Sequence, residues 1–70
     1  MAEAMFLGLR LTKGVSALEF YNNFGVSVDE VYGEWISKNI ADGFINMSGN
    51  YIRLTDRGMD FANIVMAGFV

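Results

Sequence analysis

The spacing of apolar residues along the 70-residue chain changes period several times, and each change marks an element. Residues 2–8, AEAMFLG, put Met5 and Phe6 on one turn with Leu9 following, which predicts a short helix. The next four residues, LRLT, alternate. They predict a short strand over 9–12, with Leu9 and Leu11 on one side and Arg10 and Thr12 on the other, before Lys13-Gly14 turns the chain. Ser16 with Glu19 three residues on is a capping box, and it opens a helix whose stripe is Ala17, Phe20, Tyr21 and Phe24. Gly25 ends that helix in the left-handed conformation. Ser27 and Glu30 repeat the box and open a longer helix running to about Asp42. Val28, Val31, Tyr32, Trp35, Ile36 and Ile40 follow the i, i+3, i+4 rule along it, and Gly43 closes it. After Gly43 the period drops to two. FINMS and YIRLT flank Gly49-Asn50, a β-hairpin in which Ile45 and Met47 share a face, as do Ile52 and Leu54. Thr55 caps a last helix with Asp56 in its first turn, running through Phe61, Ile64, Val65 and Phe69.

This order predicts an α+β, mostly helical fold of the winged-helix kind. It has three to four helices and a small two- to three-stranded antiparallel sheet, with residues 9–12 pairing with the hairpin. Residues 1–70 are expected to form one domain with about 4,400 Å² of folded surface.

Composition sharpens one question. The chain is 53% hydrophobic with a mean hydropathy of +0.30, rich for so small a domain. Either the core is dense with Met and Phe, or a partner covers an apolar patch. The apolar ends, Met5-Phe6-Leu7 and Met66 to Val70, are the candidates for that patch, with Phe6, Met66 and Phe69 as its interface residues. No apolar run reaches the length of a membrane span and no basic leader precedes one, so no membrane partner is expected. The absence of cysteine is compatible with the cytoplasm, where the protein is expected to reside.

Charge and residue inventory exclude most chemistry. Five basic residues face eight acidic ones, a net charge of −3. The outer face of the longer helix carries Asp29, Glu30, Gly33, Glu34, Ser37 and Lys38. Three carboxylates against one lysine repel phosphate, so nucleic acid is not an expected partner. Glu34 and Lys38 are spaced as an i,i+4 pair. With no histidine, nothing activates Ser16 or Ser27, which read as helix caps rather than nucleophiles. No catalytic, cofactor-binding or metal-ligating residue is expected, and Trp35 reads as a core anchor. Gly8-Leu9-Arg10 lacks the ending of a phosphate loop. Arg10 remains: a charge inside an apolar run is paired with a carboxylate such as Glu3 or Asp56, exposed, or facing something outside the chain. Its planar fork suits a carboxylate in any of these roles.

Several short motifs recur in a fixed order: Glu3, Gly8-Leu9-Arg10, Gly14, Phe24-Gly25, Gly43, then Leu54-Thr55 with Gly58. In that order and spacing the chain resembles, over almost its whole length, a known module. That module is the C-terminal domain of the radical-SAM (oxygen-independent) coproporphyrinogen III oxidase family, which includes related heme chaperones. Where relatives often have Pro after Thr55, this chain has Asp56; both suit a first helical position. The resemblance implies a detached domain of a larger protein. The parent's N-terminal barrel would carry a Cys-x-x-x-Cys-x-x-Cys motif, bind a [4Fe–4S] cluster and S-adenosylmethionine, and decarboxylate coproporphyrinogen III or handle heme. This chain would then be a non-catalytic accessory domain without cofactors of its own, packing on the barrel and helping to enclose the tetrapyrrole site. Arg10 would meet a barrel carboxylate or a tetrapyrrole propionate. The alternative is a free-standing acidic winged helix that binds another protein.

Overall fold

Met5 and Leu9 lie one helical turn apart, and that spacing decides the first element. In the computed structural model, which describes residues 2–11 and 13–69, helix α1 runs over Ala2–Arg10 and both side chains are fully buried. The strand expected at 9–12 is therefore absent. The helical pair Met5–Leu9 outweighs the two-residue alternation Leu9/Leu11, and Leu11 falls just past the helix end, exposed. Thr12 lies outside the described residues.

The third strand exists, three residues later. Strand β1 is Val15–Ser16, helix α2 is Ala17–Phe24 and helix α3 is Val28–Ala41. Strands β2 (Ile45–Ser48) and β3 (Tyr51–Leu54) form the hairpin, and helices α4 (Asp56–Asp60) and α5 (Ala62–Ala67) end the chain. The sheet is antiparallel in the order β1-β3-β2, with Val15 opposite Ile52 and Met47 opposite Ile52 from the other side. The architecture is thus α+β and mostly helical, with 4419 Å² of surface.

Two glycines set the position of β1. A Cβ on Gly8 would sit 2.5 Å from Val15 Cγ2, so only glycine lets α1 lie against the strand. Gly14, at φ +86°, passes directly over the Ile52 carbonyl in a conformation that side chains resist. The glycines of the ordered motifs are accounted for by packing and turns.

The caps fall where the sequence puts them. The Ser16 and Ser27 hydroxyls accept from the Glu19 and Glu30 amides at 3.2 and 3.1 Å. Among the described residues neither glutamate reaches back, so each capping box is half formed. Gly25 closes α2 at φ +73°, its N–H donating to the Tyr21 carbonyl. Gly49, at φ +59°, takes the first position of the two-residue hairpin loop.

The core gathers Met5, Leu9, Phe20, Val28, Ile36, Ile45, Ile52, Leu54, Val65, Met66 and Phe69. Several expected core positions lie outside it, among them Tyr21, Val31, Ile40 and Met47, which are exposed. Asn39, by contrast, is buried, its amide satisfied by donating to the Trp35 carbonyl at 2.7 Å. The expected Glu34–Lys38 pair is also replaced: Lys38 bonds Asp42 at 3.1 Å instead, nearer the helix C-terminus.

The last helix is broken. Phe61, at φ −116° and ψ 28°, leaves the helical region and separates α4 from α5. The phase shift turns Val65, Met66 and Phe69 inward and leaves Ile64 outside. Thr55 anchors this region: its hydroxyl donates to the Gly43 carbonyl and accepts from the Gly58 amide at 3.0 Å. Thr55→Ala should lower stability by about 1–2 kcal/mol in urea unfolding, the usual cost of a lost N-cap, and Thr55→Ser should restore most of it.

Candidate interaction surface

The polar side chains are dispersed rather than convergent. Among the described residues no three of His, Cys, Asp or Glu are grouped to hold a metal ion, and the ion pair Lys38–Asp42 is largely in solvent. No described helix is long and apolar enough to cross a membrane.

An open hollow of about 630 Å³ lies over α3 and is lined by Asp29, Glu30, Tyr32, Glu34, Trp35 and Lys38. Its aromatic donors are spent on structure. Trp35 Nε1 donates to the Val65 carbonyl at 2.9 Å, and the Tyr32 hydroxyl donates to the Phe69 carbonyl at 3.2 Å. Both hold the C-terminal segment onto α3. What the hollow presents is carboxylate.

The four residues singled out from sequence separate. Arg10 ends α1 and is exposed, near carbonyls where a cation is favoured. Among the described residues it has no ion pair, so neither Glu3 nor Asp56 neutralises it. Phe6 is half-buried against the core. Met66 and Phe69 are within the core, Phe69 completely, and its ring meets Tyr32 edge-on at 5.0 Å. Neither presents a surface to a partner as the chain is folded. Val70 lies outside the described residues.

Leu7, 70% exposed, keeps apolar surface at the N-terminal end, and more of it lies elsewhere. Leu11 (60% exposed) and Met59 (48%) line one hollow of about 420 Å³ together with Arg53 and Asp56. Met59 also lines the adjoining hollow with Phe61 (45%) and Ile64 (58%). Through the shared Met59 the two hollows link these four side chains into a strip from the end of α1 across α4 to α5. Arg57 lies over the Phe44 ring at 5.4 Å, and that ring stacks on Phe61 at 5.4 Å. The strip was hidden in the sequence by two errors of phase. Leu11 is assigned to a strand face that does not form, and Phe61 and Ile64 are assigned to the inner stripe of a helix that breaks between Asp60 and Ala62. Asp60 and Asn63 around Phe61, both poor helix formers, are the signal that could have exposed the break.

A family model described as the HemN C-terminal domain matches residues 1–61. The chain is 37% identical over 68 residues to the heme chaperone HemW of Lactococcus lactis subsp. lactis (strain IL1403), covering 97% of this chain and 18% of that protein. It is 35% identical over 68 residues to the heme chaperone HemW of Bacillus subtilis (strain 168), with the same coverage. The chain therefore spans less than a fifth of the length of these curated relatives. No solved structure gives a significant match.

Proposed function

The chain belongs to the HemN C-terminal domain family, and from that premise we propose that it is a non-catalytic accessory domain of a heme-related radical-SAM protein. In this reading it packs on the N-terminal catalytic barrel of its own parent and helps to enclose the tetrapyrrole site, in the cytoplasm. The element order and the strand order β1-β3-β2 support a winged-helix assignment. The observation that carries the packing is the strip Leu11–Met59–Phe61–Ile64. Four large apolar side chains left side by side in water are the mark of a surface meant to be covered.

The chain's own donor set does not fit the cofactors of such a parent. A [4Fe–4S] cluster is held by cysteine thiolates, and this sequence has neither cysteine nor histidine. Cluster and S-adenosylmethionine would belong to the barrel, and no chemical step falls to these residues. What they can contribute is area, shape and charge at the edge of a site built elsewhere. Arg10, exposed and without an ion pair among the described residues, is suited to a carboxylate there.

Deleting these 70 residues from the full-length protein should leave the visible absorbance of the cluster and the binding of S-adenosylmethionine in place. Release of bound heme or porphyrin should quicken by about tenfold, equivalent to about 1.4 kcal/mol. Loss of the cluster on deletion, or unchanged release, would contradict the proposal.

A further inference from the structure

Resting on that reading, we infer that the strip Leu11–Met59–Phe61–Ile64 is the face on which the rest of the full-length protein sits, and that its counterpart is an apolar surface edged by carboxylates. The occupant follows from length and composition. The matched region is 18% of the length of each relative, so more than four-fifths of such a protein lies beyond this domain and is available to cover it. The other exposed apolar side chains do not join into a comparable surface. Leu7, the most exposed of them, is on α1, Leu18 and Tyr21 sit one turn apart on α2, Val31 and Ile40 lie on α3 and Met47 is on the hairpin.

The partner's charge follows from the asymmetry of this domain. Arg53 lines the first hollow, Arg57 lies over the Phe44 ring beside Phe61, and Arg10 directly precedes Leu11. Asp56 and Asp60 line the two hollows, two carboxylates in the neighbourhood of these three guanidiniums. The α3 face is the reverse, with Asp29, Glu30 and Glu34 exposed around one hollow. A partner that carries carboxylates is steered to the strip and away from α3.

Two methionines supply an internal comparison. Met59, in the strip, is 48% exposed in the domain, and Met47, on the hairpin, is 43% exposed. Peroxide converts an accessible thioether to the sulfoxide, so in an undocked domain the two should oxidise at similar rates. Their side chains face different surroundings. Asn46 lines the strip's first hollow, and Met47, the next residue of the strand, points to the opposite face of the sheet. In the full-length protein, mass spectrometry after brief peroxide treatment should find Met59 oxidised about tenfold more slowly than Met47. Raising the ionic strength should narrow that gap if carboxylates edge the partner face; an unchanged gap would remove that half of the inference.

Slow Met47 with fast Met59 would overturn the inference while keeping the docking, now by another face. Equal rates would overturn it as well. Hydrogen exchange of the same protein then separates the two levels. Protection over α2 or α3 would keep the docking reading, and no protection on any face would end both.

Discussion

Phe69→Ala is expected to remove roughly half of the domain's stability. Phe69 has no solvent exposure, its ring packs edge-on against Tyr32, and its carbonyl accepts the Tyr32 hydroxyl. Truncating a buried phenylalanine costs about 3–5 kcal/mol, the transfer of the removed atoms plus the cavity left behind. A domain of this length has roughly 4–10 kcal/mol to lose. The measurement is urea unfolding followed by Trp35, the one tryptophan, which is bonded to the Val65 carbonyl and so reports on the C-terminal segment. The substitution also separates two roles for this residue. An interface phenylalanine could be truncated with stability unchanged and docking weakened. A core phenylalanine takes the midpoint down, and Phe69→Leu, which keeps most of the volume, should recover the greater part of it.

Gly58→Ala should be nearly as damaging, for a steric reason. Gly58 is buried at the third position of α4, and a Cβ there would overlap the Phe44 carbonyl oxygen and approach its carbon. Neither atom is the free end of a side chain. The Phe44 carbonyl accepts the Thr55 amide at 2.9 Å, so moving it away breaks the bond that joins the hairpin to the start of α4. Overpacking of this kind costs about 3 kcal/mol or more where backbone meets backbone. Gly33→Ala is the control. It lies within α3, its nearest neighbour for a new Cβ is Asp29 Cβ at 3.8 Å, and the change should stabilise by up to about 1 kcal/mol through helix propensity. Opposite signs from one substitution type would tie the effect of Gly58 to its contact with Phe44. Equal signs would undo that account.

The sequence was legible wherever a local rule was also the global one. Ser16, Ser27 and Thr55 act as caps because a hydroxyl before a helix satisfies amides with no other partner, whatever lies further off. The hairpin at Gly49-Asn50 was legible for the same reason. The failures share a different cause. Leu9 could belong to a strand or to a helix, and the contact between Gly8 and Val15 that favours the helix is not visible in spacing. Val31, Ile40 and Met47 obey their periods yet reach solvent, because periodicity names a face without saying how far the core extends beneath it. At the C-terminus the rule was applied across a break. Seven residues without a polar side chain looked like a bare flank, and tertiary packing buried Val65, Met66 and Phe69 while leaving Ile64 out. The exposed strip follows in part from these same errors: Leu11, Phe61 and Ile64 are residues whose local periodicity pointed inward.

The turn residue Asn50 has one more consequence. Its side-chain amide donates to Ser16 Oγ at 2.6 Å, its side-chain oxygen accepts from the Leu18 amide at 3.0 Å, and its carbonyl accepts from the Ala17 amide at 2.8 Å. The tip of the hairpin thus clasps the first turn of α2 from 34 positions away. Bringing such distant segments together carries an entropic cost of about 3 kcal/mol, so the clasp is a late event that must wait for the hairpin to assemble. Until then α2, only eight residues long, is too short to persist unaided. Folding should accordingly proceed as a single cooperative step, and removing the Asn50 side chain should accelerate unfolding while leaving the rate of folding almost untouched.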